Sequence, residues 1–352
     1  MANIIVTGGL GWIGRNVVRH AQQNGHNVGI LDYLDCPRGL KVPYAKADIT
    51  AEDQVRDALV DLECSFWRIN LGRTSSSEKF YIVHTAADFN YSSSLEKLRA
   101  VNVVGTRNVV EQAARLGYRG LVNIGAAAEY GDDYEIPIKE DFELKPSENY
   151  GLTKMLAEEL LFDFNKKGNI RVASLRAPMV YGPDAVGTYI AGLFNAARGP
   201  LIAPMRLTTN SYAHIDDVAG ACVHAIESAV FNNNPRQLSD IAYNIADDSP
   251  VDERKILELA GFLATGKHRK VLPVIPYPIL KLIAHASEFL EVKVGKKSRS
   301  TLAPGMVVHS KGSHVLDNSK FKKATKFEYR YPSVEEGFPE VVEWFRTNVW
   351  NR

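Results

Sequence analysis

Cysteine is scarce and scattered: Cys36, Cys64 and Cys222 are the only three in 352 residues. An odd, widely spaced set builds neither a disulfide framework nor a thiolate metal site, so a reducing, cytoplasmic setting is the default expectation and no metal is expected. Charge of one sign is missing too, with 42 Lys+Arg against 41 Asp+Glu and a formal net charge of +1. That balance offers no basic excess to neutralise a phosphate backbone, which argues against nucleic acid as the main partner. No apolar run reaches the roughly eighteen residues of a spanning helix. The start of the chain shows no basic patch leading into an apolar stretch and a cleavage site. What remains is 45% hydrophobic and 24% charged, the composition of an ordinary globule, which excludes disordered and collagen-like chains. The length fits one large α/β domain and a smaller one, at about 100–200 residues each.

Short apolar runs at 4–6, 28–31, 44–47, 81–83, 121–124 and 171–175 alternate with helical patterns at 13–23, 51–62, 94–116 and 151–167. Continuous apolar strands separated by helices predict a doubly wound α/β fold, a parallel sheet covered on both faces. After residue 180 the regularity fades, with helices expected at 214–228, 251–264, 276–290 and 334–347 among loops rich in Gly, Pro and Asn. The expected division is a nucleotide-binding domain at 1–180, with 214–245 contributing to it, and a smaller, partly discontinuous C-terminal cap over the rest of 181–352. Residues 65–79, polar and aperiodic, read as an exposed insertion loop. The amphipathic stretch 276–290 carries Lys281, His285 and Glu288, which exclude spanning; core packing is its expected role, with a membrane-facing or substrate-covering face as the alternative.

Thr7-Gly8-Gly9-Leu10-Gly11-Trp12-Ile13-Gly14 follows the first strand and opens the first helix. Gly8 permits a tight turn, Gly11 lets backbone approach a pyrophosphate, and Gly14 lets helix and strand pack closely. The helix start then offers unpaired N–H groups and a positive dipole end to an anion. Asp32, eighteen residues after Gly14, closes the second strand. A carboxylate there accepts hydrogen bonds from ribose hydroxyls and repels a 2′-phosphate, so NAD is favoured over NADP. Arg38 lies near enough in sequence to keep NADP as the minority option.

Tyr150 and Lys154 stand four apart at the start of a helix and so share a face. A free phenol titrates near 10 and is a weak base at neutral pH. A neighbouring ammonium, with a positive nicotinamide ring, favours the phenolate, which then takes a proton from a hydroxyl as hydride leaves the same carbon.

With these motifs the chain resembles the extended short-chain dehydrogenase/reductase family, over nearly its whole length. Matching stretches include the turn 7–14, Ala47-Asp48-Ile49, His84-Thr85-Ala86-Ala87, the helix from Asn102 to Val109, Tyr150 with Lys154, Leu175 to Pro183, and His214 to Ala219. The resemblance implies a Rossmann domain that holds NAD. By the same likeness, backbone at Trp12-Ile13 lies on the pyrophosphate, Asp48 and Ile49 at the adenine, Ala86 and Ala87 along the cofactor, and Pro178-Met179 beside the nicotinamide. It also implies a homodimer paired through the helices 94–116 and 151–167.

One departure stands out. The family places Ser or Thr four residues before the Tyr-Gly after the fifth strand, and here Gly125-Ala126-Ala127-Ala128-Glu129-Tyr130-Gly131 puts Ala126 there. Loss of an oriented donor is worth about 10²–10³ in rate, by analogy with an oxyanion hole. Either Thr85, a cap residue or an ordered water supplies the bond, or the substrate is oriented differently, or the chain binds cofactor and turns over poorly. A carboxylate acts near this point in dehydratase members, but Glu129 sits later than the acidic pair used there.

Substrate class follows from two further resemblances. Nucleotide-sugar members carry Arg four residues before the histidine that His214 matches; this chain has Asn210, and a diphosphate normally meets a guanidinium fork. The apolar helix 276–290 and the stretches 315–321 and 331–337 look instead like the 3-beta-hydroxysteroid and sterol-carboxylate dehydrogenase branch. The expected reaction interconverts a hydroxyl and a ketone on an apolar, steroid- or terpenoid-like small molecule. A nucleotide-sugar epimerase or dehydratase, or a catalytically weak cofactor-binding protein, is the alternative. His84, His214, His224 and His285 lack ligand spacing and read as structural. Asp216-Asp217 reads as helix capping, and Trp12 as a shield for the cofactor or packing under the cap.

Overall fold

The computed structural model describes residues 1–69, 80–132, 135–186, 188–199, 201–202, 208–228, 230, 237–268, 270–273, 275–294 and 312–350. The N-terminal half alternates β1 (Asn3–Thr7), α1 (Trp12–Gln23), β2 (Asn27–Asp32), β3 (Tyr44–Lys46), α2 (Glu52–Ile69) and β4 (Phe80–His84). It continues through α3 (Leu95–Arg99), α4 (Thr106–Arg115), β5 (Gly120–Ala126), α5 (Asn149–Lys166), β6 (Arg171–Ala177) and β7 (Met179–Tyr181). The main sheet runs Ala242–Asn244, β6, β5, β4, β1, β2, β3, with every neighbouring pair parallel. In register, Ile4 lies between Val28 on β2 and Tyr81 on β4. Successive β1 side chains enter opposite faces. Ile4 and Val6 join Val17, Ala21 and Cys222 in one apolar layer, while Ile5 joins Val55, Leu59, Val109 and Leu161 in the other. The expected doubly wound α/β sheet is what forms.

Chain order reverses between β1 and β4: the chain leaves β1 outward through β2 and β3, then crosses back to β4 and goes the other way. The crevice beyond the carboxyl ends of β1 and β4 is therefore the switch point at which ligands bind in such sheets. After β7 the chain forms α6 (Tyr189–Ala197), then α7 (Ile215–Glu227), which packs with α1, and Ala242–Asn244, which extends the sheet. The segment beyond 214 thus returns to the sheet. Away from it, α6, α8 (Glu253–Thr265) and the helix Val334–Phe345 share an apolar cluster around Phe194, Phe338 and Phe345.

Three local expectations need correction. The helix read as 51–62 runs on to Ile69, so residues 65–69 of the expected insertion loop are helical; the remainder, 70–79, lies outside the described residues. The apolar stripe explains the extension: Leu62 and Phe66, four apart, are both buried, and Phe66 meets Phe80 edge-on. The helix read as one piece over 94–116 is interrupted by a π-helical stretch at Ala100–Gly105. Finally, α9 (Tyr277–Val294) buries Leu280 and Ala284, whereas Ile279, Leu282 and Ile283 face outward, so core packing accounts for only part of its apolar surface. Among the described residues no helix is long and apolar enough to cross a membrane.

Candidate active site

The turn after β1 is shaped by two glycines. Gly8 sits at φ +68°, and a Cβ there would lie 2.8 Å from the backbone of Ala86. A Cβ on Gly14 would lie 2.1 Å from the Gly8 carbonyl oxygen, so only glycine lets α1 start this close to β1. Gly11 is the N-cap of α1 and supplies no side-chain cap, and the first turn carries no acidic residue. The opening N–H groups therefore stay available to an anion at the positive end of the helix. Asp32 is buried at the end of β2, where Oδ2 accepts the Leu10 N–H at 2.9 Å and Oδ1 accepts the Leu34 N–H at 3.0 Å. Those bonds fix its carboxylate against the turn and leave lone pairs for further donors. Trp12, expected to shield the cofactor or pack under the cap, donates its indole N–H to the Pro183 carbonyl at 2.9 Å and so ties the turn to the segment after β7.

The catalytic corner is built on α5. Glu148 caps the helix, accepting the N–H groups of Tyr150 and Gly151 at 2.5 Å each. One stripe of α5, Gly151, Lys154, Glu158, Leu161 and Asn165, is buried against the sheet. Tyr150, one residue before that stripe, opens to the cleft and meets the Tyr91 ring at 5.3 Å between centroids. Burial pushes the Tyr150 phenol up, with the carboxylates of Glu129 and Glu148 adding to the effect. In the polypeptide alone the phenol is therefore raised rather than lowered, against the expectation from Lys154. Lys154 is itself held down by burial, opposed by Glu129 and Glu158.

A cleft of about 870 Å³ spans the switch point. The residues picked as catalytic or NAD-binding line it: Gly8, Gly11, Trp12, Ile13 and Gly14 from the turn, Asp32, Asp48 and Ile49 beyond β2 and β3, and Ala86 and Ala87 beyond β4. Tyr150, Lys154, Pro178 and Met179 line the cleft as well. Arg38 is exposed and does not line it. Sequence reasoning overlooked the loop from Asp88 to Tyr91 and also Val186, Ile190, Ser211 and His314; Leu280, which lines the cleft too, lies on the helix 276–290 for which a substrate-covering face was the alternative. Asn102 anchors that loop: its Oδ1 accepts the Asp88 N–H at 2.8 Å, and its Nδ2 donates to the Asp88 carbonyl at 2.9 Å and to Thr153 Oγ1 at 3.1 Å. The signal was present only as the family-like helix around Asn102, which gave no role to the residue itself.

Ala126 lies on the cleft wall and offers no hydroxyl there. Thr85 does not replace it, because its hydroxyl donates to the Thr7 carbonyl at 2.7 Å. Glu129 does not line the cleft: it is fully buried, and its Oε1 accepts the Ala126 N–H at 2.7 Å. Asn210 also lines the cleft, but its amide is engaged, donating to the Thr208 carbonyl at 2.9 Å and accepting the His314 N–H at 3.2 Å. Three of the four histidines read as structural are held within the fold, whereas His285 is exposed on α9. His84 bridges Thr7 Oγ1 at 2.7 Å and Thr106 Oγ1 at 2.9 Å, and burial holds it down at about 3. His214 caps α7, and His224 meets the Thr325 carbonyl at 2.7 Å. Asp216 and Asp217 lie in the first turn of α7, but the cap is His214 rather than either of them; Asp217 instead accepts the N–H groups of Arg330 and Tyr331 at 2.7 and 2.9 Å, clasping the C-terminal segment.

A model of the NAD dependent epimerase/dehydratase family matches residues 4–246. The chain belongs to this family. As a family member it is an NAD-dependent enzyme, and the uncapped start of α1, the crowding at Gly8 and Gly14, and the fixed Asp32 carboxylate fit that cofactor. Its sequence is 23% identical over 373 residues to the decarboxylating sterol-4-alpha-carboxylate 3-dehydrogenase of Candida albicans, covering 99% of each chain. It is 30% identical over 176 residues to a UDP-glucose 4-epimerase of Pisum sativum, covering 46% of this chain and 47% of that one. Among solved structures of the family's fold, the UDP-glucose 4-epimerase of Thermus thermophilus complexed with NAD superimposes with a TM-score of 0.70 at 22% identity, over 99% of this chain and 100% of that one.

Proposed function

We propose that the chain is an NAD-dependent oxidoreductase that interconverts a hydroxyl and a ketone on an apolar small molecule of steroid or terpenoid type. NAD supplies the hydride acceptor or donor when bound. Glycine-turn amides and the α1 N-terminus hold its pyrophosphate, and Asp32 takes ribose hydroxyls. Tyr150 Oη removes the proton of the substrate hydroxyl, or returns it to the carbonyl oxygen. Lys154 holds positive charge beneath that phenol, and Pro178 and Met179 cover the opposite wall.

The observation that carries the substrate class is the lining of the cleft's far side. Met179, Val186, Ile190 and Leu280 line it, and among the described residues no arginine does. Lys97 lines it as well, with its ammonium 3.3 Å from Asp88. A largely apolar wall suits a greasy ligand, and among the described residues it offers a diphosphate no guanidinium fork. Full-length similarity to a sterol dehydrogenase supports the same reading. The second reading, epimerisation of a nucleotide sugar, is supported by the epimerase relatives. Incubation with NAD⁺ and panels of hydroxysteroids, terpenoid alcohols and UDP-sugars separates them. Net NADH with an apolar alcohol is expected; interconversion of UDP-sugars without net NADH would overturn the proposal.

A further inference from the structure

Between β4 and α3 the chain forms a loop that holds one aromatic ring against another. Asp88 Oδ1 accepts the Asn90 N–H at 2.9 Å, and Asn90 Oδ1 accepts the Ser92 N–H at 3.0 Å. Such side-chain turns hold a short loop in one shape. Tyr91 lies between them, and the Ser93 hydroxyl closes the loop by donating to Asp88 Oδ2 at 2.8 Å.

The same loop is tied to α5 by two routes. Asn102, buried in the π-helical stretch Ala100–Gly105, bonds both the N–H and the carbonyl of Asp88 and donates to Thr153 Oγ1 at 3.1 Å. Such stretches are rare and recur at functional sites. The Thr153 hydroxyl donates in turn to the Tyr150 carbonyl at 2.9 Å, which completes the backbone route. The second route is ring to ring: Tyr91 and Tyr150 meet at 5.3 Å between centroids, with 53° between their planes. Both residues are half-buried and line the cleft. Tyr150 is the second residue of α5, so its backbone is fixed, but its phenol still turns about two side-chain torsions. A reacting group misplaced by about 1 Å loses about 10² in rate, so whatever stops that turning matters to the reaction.

We propose that Tyr91 is a positioning residue: its ring, set by the clasp of Asp88, Asn102 and Thr153, is the stop that fixes the Tyr150 phenol in the cleft and covers one side of it from water. The inference rests on the reading of Tyr150 as the proton acceptor. Tyr91 acts through Tyr150 and takes no proton itself. Burial is the main cause that raises the Tyr150 phenol, with Glu129 and Glu148 adding to it. Lys154 on α5 shares the cleft, and on the loop side stand Asp88 and Lys97, paired at 3.3 Å. Removing the Tyr91 ring leaves all of these charges in place and lets water reach the phenol. The phenol then turns more freely and ionises more readily.

Two variants of the whole protein separate the ring from its hydroxyl: Tyr91→Phe keeps the ring and Tyr91→Ala removes it. They are compared in steady-state oxidation with NAD⁺ and the hydroxysteroid or terpenoid alcohol that yields the most NADH. The kcat of Tyr91→Ala is expected to fall about 10–100-fold, while that of Tyr91→Phe, and the Kd of both for NAD⁺ by calorimetry, stay within about twofold. The rising limb of kcat/KM against pH is expected about half a unit or more lower in Tyr91→Ala than in Tyr91→Phe. A Tyr91→Ala kcat within about twofold of the unsubstituted protein, or a limb that does not move, overturns the inference. So does a Tyr91→Phe as slow as Tyr91→Ala, which would give the role to the hydroxyl. Should Tyr91→Ala fail to fold, Tyr91→Leu takes its place with the same expectations and the same overturning results. No NADH from any alcohol, or an undiminished Tyr150→Phe, overturns the functional reading and the inference with it. A slow Tyr150→Phe beside an unimpaired Tyr91→Ala overturns the inference alone.

Discussion

Tyr150 is raised by its surroundings and is expected to need the positive nicotinamide ring before it works as a base. Replacing Tyr150 by Phe removes the proton acceptor without emptying the cleft wall. Turnover is expected to drop by about 10²–10⁴, with NAD affinity by calorimetry changed little. The direction of the pH dependence follows from the same group. Because burial raises the phenol, the base form grows with rising pH, so kcat/KM for alcohol oxidation should climb about tenfold per pH unit below the apparent pKa, and ketone reduction should fall above it. At the turn, Gly14→Ala drives a methyl onto the Gly8 carbonyl oxygen, 2.1 Å from the Cβ position, and is expected to cost about 3 kcal/mol with loss of NAD binding, read by denaturant unfolding and calorimetry. The residues that line the near wall were legible because each belongs to a short motif with a backbone reason for its spacing. His314 and the 88–91 loop were not, since tertiary packing alone brings them to the cleft.

At the scale of elements, α9 separates two kinds of apolar residue that look alike in sequence. Leu280 is 1% exposed and lines the cleft, whereas Leu282 is 70% exposed. Leu280→Ala is expected to cost about 2–3 kcal/mol and to raise KM for an apolar substrate. Leu282→Ser should stay within about 0.5 kcal/mol and leave KM unchanged. Thermal unfolding and steady-state kinetics of the pair check both statements. Strand positions were readable because buried parallel strands are continuous apolar runs, as in Ile4-Ile5-Val6. Two helix details were not. Polar Ser65 hides the continuation of α2, whose length is decided by Phe66 packing in the core, and the π-helical stretch at Ala100–Gly105 leaves the apolar pattern of its helix unbroken.

Across the whole molecule, one sheet reversal organises everything else. The switch between β1 and β4 opens the crevice, the loops after β1, β4 and β5 and the start of α5 furnish its near wall, and segments after β7 furnish the far one. A ligand that spans these walls joins them, so NAD at 100 times its Kd is expected to stabilise the chain by about 2.7 kcal/mol. In a thermal scan that appears as an upward shift of several degrees; no shift would deny the cleft its cofactor. The layered fold was legible from the strand–helix rhythm. Most of the far wall was not, because it draws on short segments as distant as Ser211 and His314. The most direct measurement is a crystal structure of the protein with NAD⁺. The pyrophosphate is expected at the start of α1, ribose hydroxyls on Asp32, and the nicotinamide ring between Met179 and the Tyr150–Lys154 corner. A dinucleotide lying elsewhere, or a ring turned out of reach of the Tyr150 hydroxyl, would contradict it.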